Sequence, residues 1–354
     1  MSVLPDYLSY RLEEYKILKK DFDITMIIGN QGTGIKKSKI DFHNNFEVTS
    51  SSVKKIGKMF YQSKTILSYI KDDWDVFFIQ ANVRYFDYWI IIFLNIFLKK
   101  NLISHGQGLY RFDNPGVLRS CLYKLIIKSS RKYLCYNEYC HKDLRYKIEH
   151  CENKSIWANN FIRFKGEDNA DGDIDTDINR GVESQDILFI GRLRERNGLS
   201  EFIEKFLSSN LGLKCKLHVI GGGEQLELLR SRYKDKPSII FHGEIIDEME
   251  IKSVARVCKF GIYPGDAGLS LLHYSSLGLI PIFHNKYSSH MGPEFAYFDN
   301  YFQFITYEKD NYEDAIRVIE NILEKNELNG CMFKEVYRQV ESQSFGQIFN
   351  NLVR

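Results

Sequence analysis

Apolar residues in this chain fall into short runs of four to six, separated by longer stretches with helical periodicity. In the first half the runs are residues 24–29 (ITMIIG), 76–80 (VFFIQ), 101–104 (NLIS), 131–136 (RKYLCY) and 155–158 (SIWA), and a bend with Gly29, Gly32 and Gly34 follows the first. The second half repeats the theme at 186–190 (DILFI), 216–220 (KLHVI), 238–241 (SIIF), 260–263 (FGIY) and 279–283 (LIPIF). After the first of these, Leu199, Phe202, Ile203, Phe206 and Leu207 recur at helical spacing. Strands that alternate with helices predict βαβ units, hence α/β architecture with parallel sheets. The longest apolar stretch, residues 88–98, is closed by Lys99 and Lys100. It is about half the length needed to cross a bilayer. It predicts a buried helix, with attachment to a membrane surface as the alternative.

Between the two series, residues 163–185 are polar and acidic, with Asp171, Asp173, Asp175 and Asp177 alternating. A calcium loop needs Gly at its sixth position and Glu at its twelfth, and no register provides both. The segment reads as a linker. A chain of 354 residues exceeds what one core usually supports. Two domains follow, at 1–162 and 186–335, with residues 336–354 forming a terminal helix that packs back toward the first domain.

Charge sharpens this division. The net +2 conceals 26 Lys and Arg against 16 Asp and Glu up to Phe164, a net of +10, and −8 over the remainder. The first domain therefore suits an anionic partner, such as a membrane surface or a lipid-linked phosphate acceptor. The lysines are dispersed and no aromatic-interleaved basic motif occurs, which argues against nucleic acid. Seven cysteines, odd in number and without a C-x-x-C pair, indicate a reducing compartment and no structural zinc. No signal peptide is recognisable, so a cytoplasmic protein is expected, with peripheral attachment at the inner membrane face as the alternative.

In doubly wound folds ligands sit beyond the carboxyl ends of the strands, so the loops there are the candidates for chemistry. Residues 191–198 place Arg192, Arg194 and Arg196 after Gly191. Forked, permanently charged donors suit an anionic group. Gly221, Gly222 and Gly223 follow the next strand, and a triple glycine requires unusual backbone angles or close backbone contact. Gly243 ends the third. The fourth leads into residues 264–270 (PGDAGLS) and then a helix, an arrangement that suits an anion. Asp266 there is either a helix cap or a ligand contact, and His273, one turn into the helix, is either a packed core histidine or a sugar contact. Beyond the fifth strand stand His290 and Glu294.

These segments, GRLRERNGL, HVIGGGE, IIFHGEI, YPGDAGLSLLHYSSLGLIPI and HMGPE, resemble in order and spacing the donor domain of family 4 glycosyltransferases. The first half resembles the family's acceptor domain through LPDYLSYR, Asn82 with Arg84, HGQGLYR at residues 105–111, and CYNEY followed by WANNF. The resemblance implies the GT-B architecture: two Rossmann-like doubly wound domains facing a central cleft. It implies retaining transfer from a nucleotide-diphosphate sugar, UDP-linked by family frequency, to a glycan or lipid-linked acceptor in surface polysaccharide synthesis. His105, Arg192 and Glu294 become the catalytic candidates. Arg196, Gly222, Gly243, Gly265, Asp266, Gly268, Leu269, Ser270 and His273 become donor contacts, and Arg84, Gly106 and Arg111 acceptor contacts.

Three positions depart from the family pattern. Gly265 and His273 replace its two framing glutamates, and Asn197 replaces the basic partner of Arg192, beside Arg196. A sugar-nucleotide epimerase of similar fold, or a non-catalytic sugar-nucleotide binder, is the alternative. Asp73 and Asp75 match the metal-binding string of other transferases, but they precede their strand and so lie at the wrong end of a sheet. No metal and no cofactor besides the donor is expected, because arginines and helix N–H groups can stabilise the departing diphosphate.

Overall fold

The computed structural model describes residues 1–4, 9–30, 36–163 and 185–353, so Gly32, Gly34 and the acidic linker segment from 164 to 184 lie outside the described residues. The chain divides into two units, residues 1–162 with 341–354, and residues 163–340.

The first unit runs β1 (Ser2–Leu4), α1 (Ser9–Leu18), β2 (Thr25–Asn30), α2 (Lys36–Asn45), β3 (Glu47–Ile56), β4 (Met59–Gln62) and α3 (Thr65–Lys71). It continues through β5 (Phe77–Gln80), α4 (Phe86–Leu98), β6 (Leu102–Gly106), α5 (Gly116–Ser129), β7 (Lys132–Cys135), α6 (Glu138–Lys147) and β8 (Ser155–Trp157). Its sheet has the order β4-β3-β2-β1-β5-β6-β7-β8. All pairings are parallel except β3 with β4. Apolar runs brought out the strands β2 and β5–β8 but neither β1 nor the β3–β4 hairpin. The three residues of β1 are too few to show a period, and in β3, next to the edge, only Ser51 is buried, so a polar strand carries no apolar signal.

One face of this sheet packs Leu4, Met26, Ile28, Phe78, Ile103 and Leu134 against Leu12 and Tyr15 of α1. Phe345 and Phe349 of the C-terminal helix Phe345–Val353 enter the same core. The Gly346 N–H donates to the buried Glu14 carboxylate at 2.5 Å.

The apolar helix α4 departs from the buried-helix expectation. Tyr88, Ile91, Ile92 and Asn95 face the protein, whereas Phe86, Phe93, Ile96, Phe97 and Leu98 are exposed. Both faces of α4 are apolar, so hydrophobic periodicity cannot separate inside from outside. Asn95 ends the helix: its Nδ2 donates to the Ser129 carbonyl at 2.7 Å and its Oδ1 accepts the Lys100 N–H at 2.8 Å. Among the described residues no helix is long and apolar enough to cross a membrane.

The second unit contains β9 (Asp186–Ile190), α7 (Leu199–Ser208), α8 (Leu211–Lys214), β10 (Leu217–Ile220), α9 (Leu226–Arg232), β11 (Ile239–Gly243), α10 (Glu248–Ala255) and β12 (Cys258–Ile262). It continues with α11 (Ser270–Ser276), β13 (Ile280–His284), α12 (Phe302–Ile305), β14 (Thr306–Tyr307), α13 (Tyr312–Lys325) and α14 (Gly330–Ser342). Its sheet is parallel throughout, in the order β11-β10-β9-β12-β13-β14. The strand order reverses between β9 and β12, and a doubly wound sheet opens a crevice at that point. Tyr274 of α11 closes the bottom of this region. Its hydroxyl donates to the Ile262 carbonyl at 2.9 Å and accepts the Ile190 N–H at 3.0 Å, so it ties both switch-point strands to one helix. Gly261 leaves the room that the Tyr274 ring occupies.

Candidate active site

The loop after β9 is shaped by its buried residues. Leu193 and Asn197 point inward; Arg192 and Arg196 are exposed and Arg194 is half-buried. Asn197 Nδ2 donates to the Arg192 carbonyl at 2.5 Å, and the Leu193 N–H donates to the Gly222 carbonyl at 2.8 Å. With alternate residues anchored, the three arginines line a cavity of about 150 Å³ together with Asn197, Tyr263, Asp266 and Met291. Its residues come from the loops after β9, β12 and β13, at the switch point.

The triple glycine acts through backbone contact. Gly221 and Gly223 have φ of 150° and 143°. A Cβ on Gly221 would collide with the Gly191 carbonyl, and one on Gly223 with that of Leu193. These glycines therefore let the β10 loop press on the arginine loop. Gly222 lies beside the Glu244 side chain and Gly243 beside the Arg230 guanidinium; neither lines the arginine cavity.

Gly265, the position where the family pattern has a glutamate, is also packed against backbone. A Cβ there would lie 2.8 Å from Asn197 Cα and 3.1 Å from the Arg196 carbonyl oxygen. No side chain fits at 265 while the arginine loop keeps this conformation. The loops after β9 and β12 thus pack backbone on backbone at Gly265.

Asp266 does not cap α11. That helix begins at Ser270 with Leu269 in the N-cap position and no side-chain cap. Asp266 instead accepts from Lys309 Nζ at 2.7 Å and from His284 Nε2 at 3.2 Å. Partial burial alone would raise its pKa, but bonds from Lys309, Ser289 and His284 outweigh that and lower it. Asp266 is therefore a fixed carboxylate on the wall of an arginine-lined cavity.

Two stacked histidines hold this loop from beneath. The His284 and His290 rings lie 4.0 Å apart, nearly parallel. His290 Nδ1 accepts the Ala267 N–H at 3.0 Å and its Nε2 donates to the His284 carbonyl at 2.9 Å, which fixes a neutral ring. Burial, then the neighbouring His284, pushes the His290 pKa down to about 3. The Met291 N–H returns a bond to the Ala267 carbonyl at 2.8 Å, and Tyr307 donates to the Pro264 carbonyl at 2.9 Å. His290 opens the HMGPE segment, whereas Lys309 and His284 lie at positions where no motif marks them.

Glu294 is buried in the 3₁₀ segment Pro293–Tyr301 rather than exposed in a loop. Its carboxylate folds over Gly292, where a Cβ would collide with it, and lies 3.8 Å from where a Cβ on Gly268 would stand. The structure thus gathers Glu294, Gly268, Leu269 and Ser270 at the start of α11. His273 is buried one turn further on, with Nε2 3.3 Å from the Glu248 carboxylate.

In the first unit, His105 at the end of β6 is enclosed by the rings of Phe78, Tyr136 and Phe345. Burial, then Arg11, holds its imidazole well below the ordinary pKa. Gly106 allows close approach of the Tyr133 hydroxyl, to 2.7 Å from where its Cβ would be. Arg84 and Arg111 are exposed, in the segments after β5 and β6. Asp73 and Asp75 are exposed before β5, and no described cluster of His, Cys, Asp and Glu can hold a metal ion.

Two Rossmann-like units of this kind define the GT-B fold class of glycosyltransferases. Solved structures with that fold align over the whole chain. Anabaena Alr3699/HepE, in complex with UDP and glucose, is 9% identical with a TM-score of 0.64, covering 99% of this chain and 97% of its own. A glycosyltransferase from Rickettsia africae ESF-5 is 16% identical with a TM-score of 0.64, covering 99% and 96%. A variant of S. aureus TarM, in complex with fondaparinux, α-GlcNAc-glycerol and UDP, is 10% identical with a TM-score of 0.56, covering 96% and 99%. No curated protein sequence matches. Residues 173–338 match the family model for glycosyl transferases group 1.

Proposed function

We propose that this chain is a retaining, metal-independent glycosyltransferase that transfers a hexose from a UDP-sugar to a glycan or lipid-linked oligosaccharide in surface polysaccharide synthesis, working peripherally at the inner membrane face. The observation that carries the reading is the cavity at the β9–β12 switch point, where Arg192, Arg194 and Arg196 converge on one space. Glycosyl transfer leaves a diphosphate whose charge grows as the glycosidic bond breaks, and fixed cationic donors aimed there stabilise it more than they stabilise the ground state. Arg192 is the principal donor and Arg196 assists. Arg194, in the same wall, takes the place of the missing basic residue at 197.

Asp266 cannot bind phosphate, being a carboxylate held charged by Lys309. It suits hydroxyl donors and is assigned to the sugar or ribose. Glu294, Gly268, Leu269 and Ser270 complete the donor end, with Gly222, Gly243, Gly265 and His273 shaping its loops. His105, kept neutral by burial, serves as a hydrogen-bonding group toward the sugar or the attacking hydroxyl, with Gly106, Arg84 and Arg111 on the acceptor side. HepE and TarM, with UDP in their described complexes, support the choice of a uridine nucleotide.

Thermal unfolding with a panel of nucleotides and nucleotide sugars tests the reading. UDP and one UDP-sugar should raise the midpoint by mass action. Arg192→Ala should lose that rise and lower transfer by about 10²–10³-fold, the cost of removing one strong oxyanion donor. Near-normal transfer by Arg192→Ala would remove the cavity from the mechanism. Transfer abolished by EDTA and restored by Mg²⁺ would overturn metal independence, and an anomeric proton of inverted configuration in the product would overturn retention.

A further inference from the structure

The outer faces of α4 and α5 carry apolar side chains left open to solvent. On α4, Phe86, Phe93 and Phe97 are 53%, 59% and 69% exposed. Spacings of seven and four place them on one side of the helix. On α5, Val117 and Leu118 are 82% and 76% exposed, and Leu122 lies a turn beyond. The two helices pack against each other, so both stripes belong to one surface. Monomeric soluble proteins rarely leave large contiguous apolar patches uncovered.

The charge around this surface identifies what covers it. From Arg84 to Lys132 the chain has nine Lys and Arg but only Asp87 and Asp113 as acids. Asp87 is buried, where its carboxylate accepts the Gln62 N–H at 2.9 Å. Lys99, Arg119, Lys124 and Lys128 are exposed on or beside the same two helices. A second copy of the chain is a poor occupant, because a two-fold interface would press this cationic surface against itself. An anionic bilayer accepts both parts: rings enter the acyl boundary and lysines reach the phosphates.

We propose that the α4–α5 face is the membrane-contact surface of the protein and that it takes anionic phospholipid headgroups. This deepens the reading of a peripheral enzyme with a lipid-linked acceptor and rests on it for its purpose, but its test uses neither donor nor acceptor. The full chain is sedimented with vesicles of phosphatidylglycerol and phosphatidylcholine in equal parts, and with vesicles of phosphatidylcholine alone. Wild type should partition onto the anionic vesicles, and less so at high salt. Phe93→Ser with Phe97→Ser should lower that partition about tenfold, and Lys124→Glu with Lys128→Glu should erase the preference for anionic vesicles. Both double variants should keep the wild-type unfolding midpoint and its rise with UDP. Wild type that stays in the supernatant overturns the proposal, as does wild-type partition by both variants. So does a dimer, seen by light scattering, that Phe93→Ser with Phe97→Ser dissociates. Vesicle binding without any UDP effect would support the surface while sinking the transferase reading.

Discussion

The two units place their unusual residues in opposite positions. In the second, glycines and buried polar groups are concentrated in the loops after the strands, where backbone packs on backbone and three arginines are left to project. In the first, a cavity of about 20 Å³ lies beside the switch-point strands β1 and β5, and the unusual residues are aromatic side chains on an outer helix face. Net charge follows the same division, +10 up to Phe164 and −8 after it. A loop that must hold cations in one geometry is built from inside by tight contacts. A face that meets a soft partner needs only exposed apolar area and loosely placed charge.

Substitutions should hurt the second unit's loops and spare the first unit's face, and this is open to refutation. Gly221→Ala forces a Cβ toward the Gly191 carbonyl at a positive φ, and should cost about 3 kcal/mol in a urea titration. A loss within experimental error would break the account of the triple glycine. Gly265→Glu restores the family's usual residue but should cost about 2 kcal/mol and abolish the UDP-dependent rise in unfolding midpoint, because the new side chain displaces the arginine loop. A gain in donor binding would show instead that the loops yield to admit it.

Tyr274→Phe leaves the Ile190 N–H without its partner and should destabilise by about 1–2 kcal/mol. Acid sharpens the contrast further. With its folded pKa near 3, His290 stays neutral while the unfolded chain takes up its proton below the ordinary value of 6.5. The stability it allows is complete above that value and declines as pH falls from there toward 3, by up to about 1.4 kcal/mol per pH unit. His284 and His105 are shifted the same way and add to the slope. Denaturant midpoints measured between neutral and mildly acidic pH should show it, and His290→Gln should flatten the curve. An unchanged slope in that variant would mean the ring is not held neutral. The smallest effect belongs to the first unit: Phe93→Ser and Phe97→Ser should each change stability by no more than about 0.5 kcal/mol, since both side chains already face water.

Much of this was legible in the residues. The five strands β9–β13 stand within two residues of their apolar runs, because strands buried on both faces read as continuous hydrophobic segments. Arg192, Arg196 and Asp266 stood out by type and position after a strand, and the structure brings them to one cavity. Arg194 was visible in the same triplet, but nothing local distinguished its direction from that of its neighbours.

Other features depend on contacts between residues far apart in the chain. Lys309 meets Asp266 from 43 positions away, and His290 meets Ala267 from 23, so no window of sequence could pair them. Whether α4 hid both faces depended on what packed over it, since an evenly apolar helix has no periodicity to read. The sequence by itself determined the βαβ series, the strand-end loops and the arginine triplet after β9, because these follow from local pattern and chain order. Only the tertiary structure decided that position 265 has no room for a side chain, that Asp266 is held as a carboxylate, and that the first unit keeps an apolar face open. Each of these depends on which surfaces come into contact.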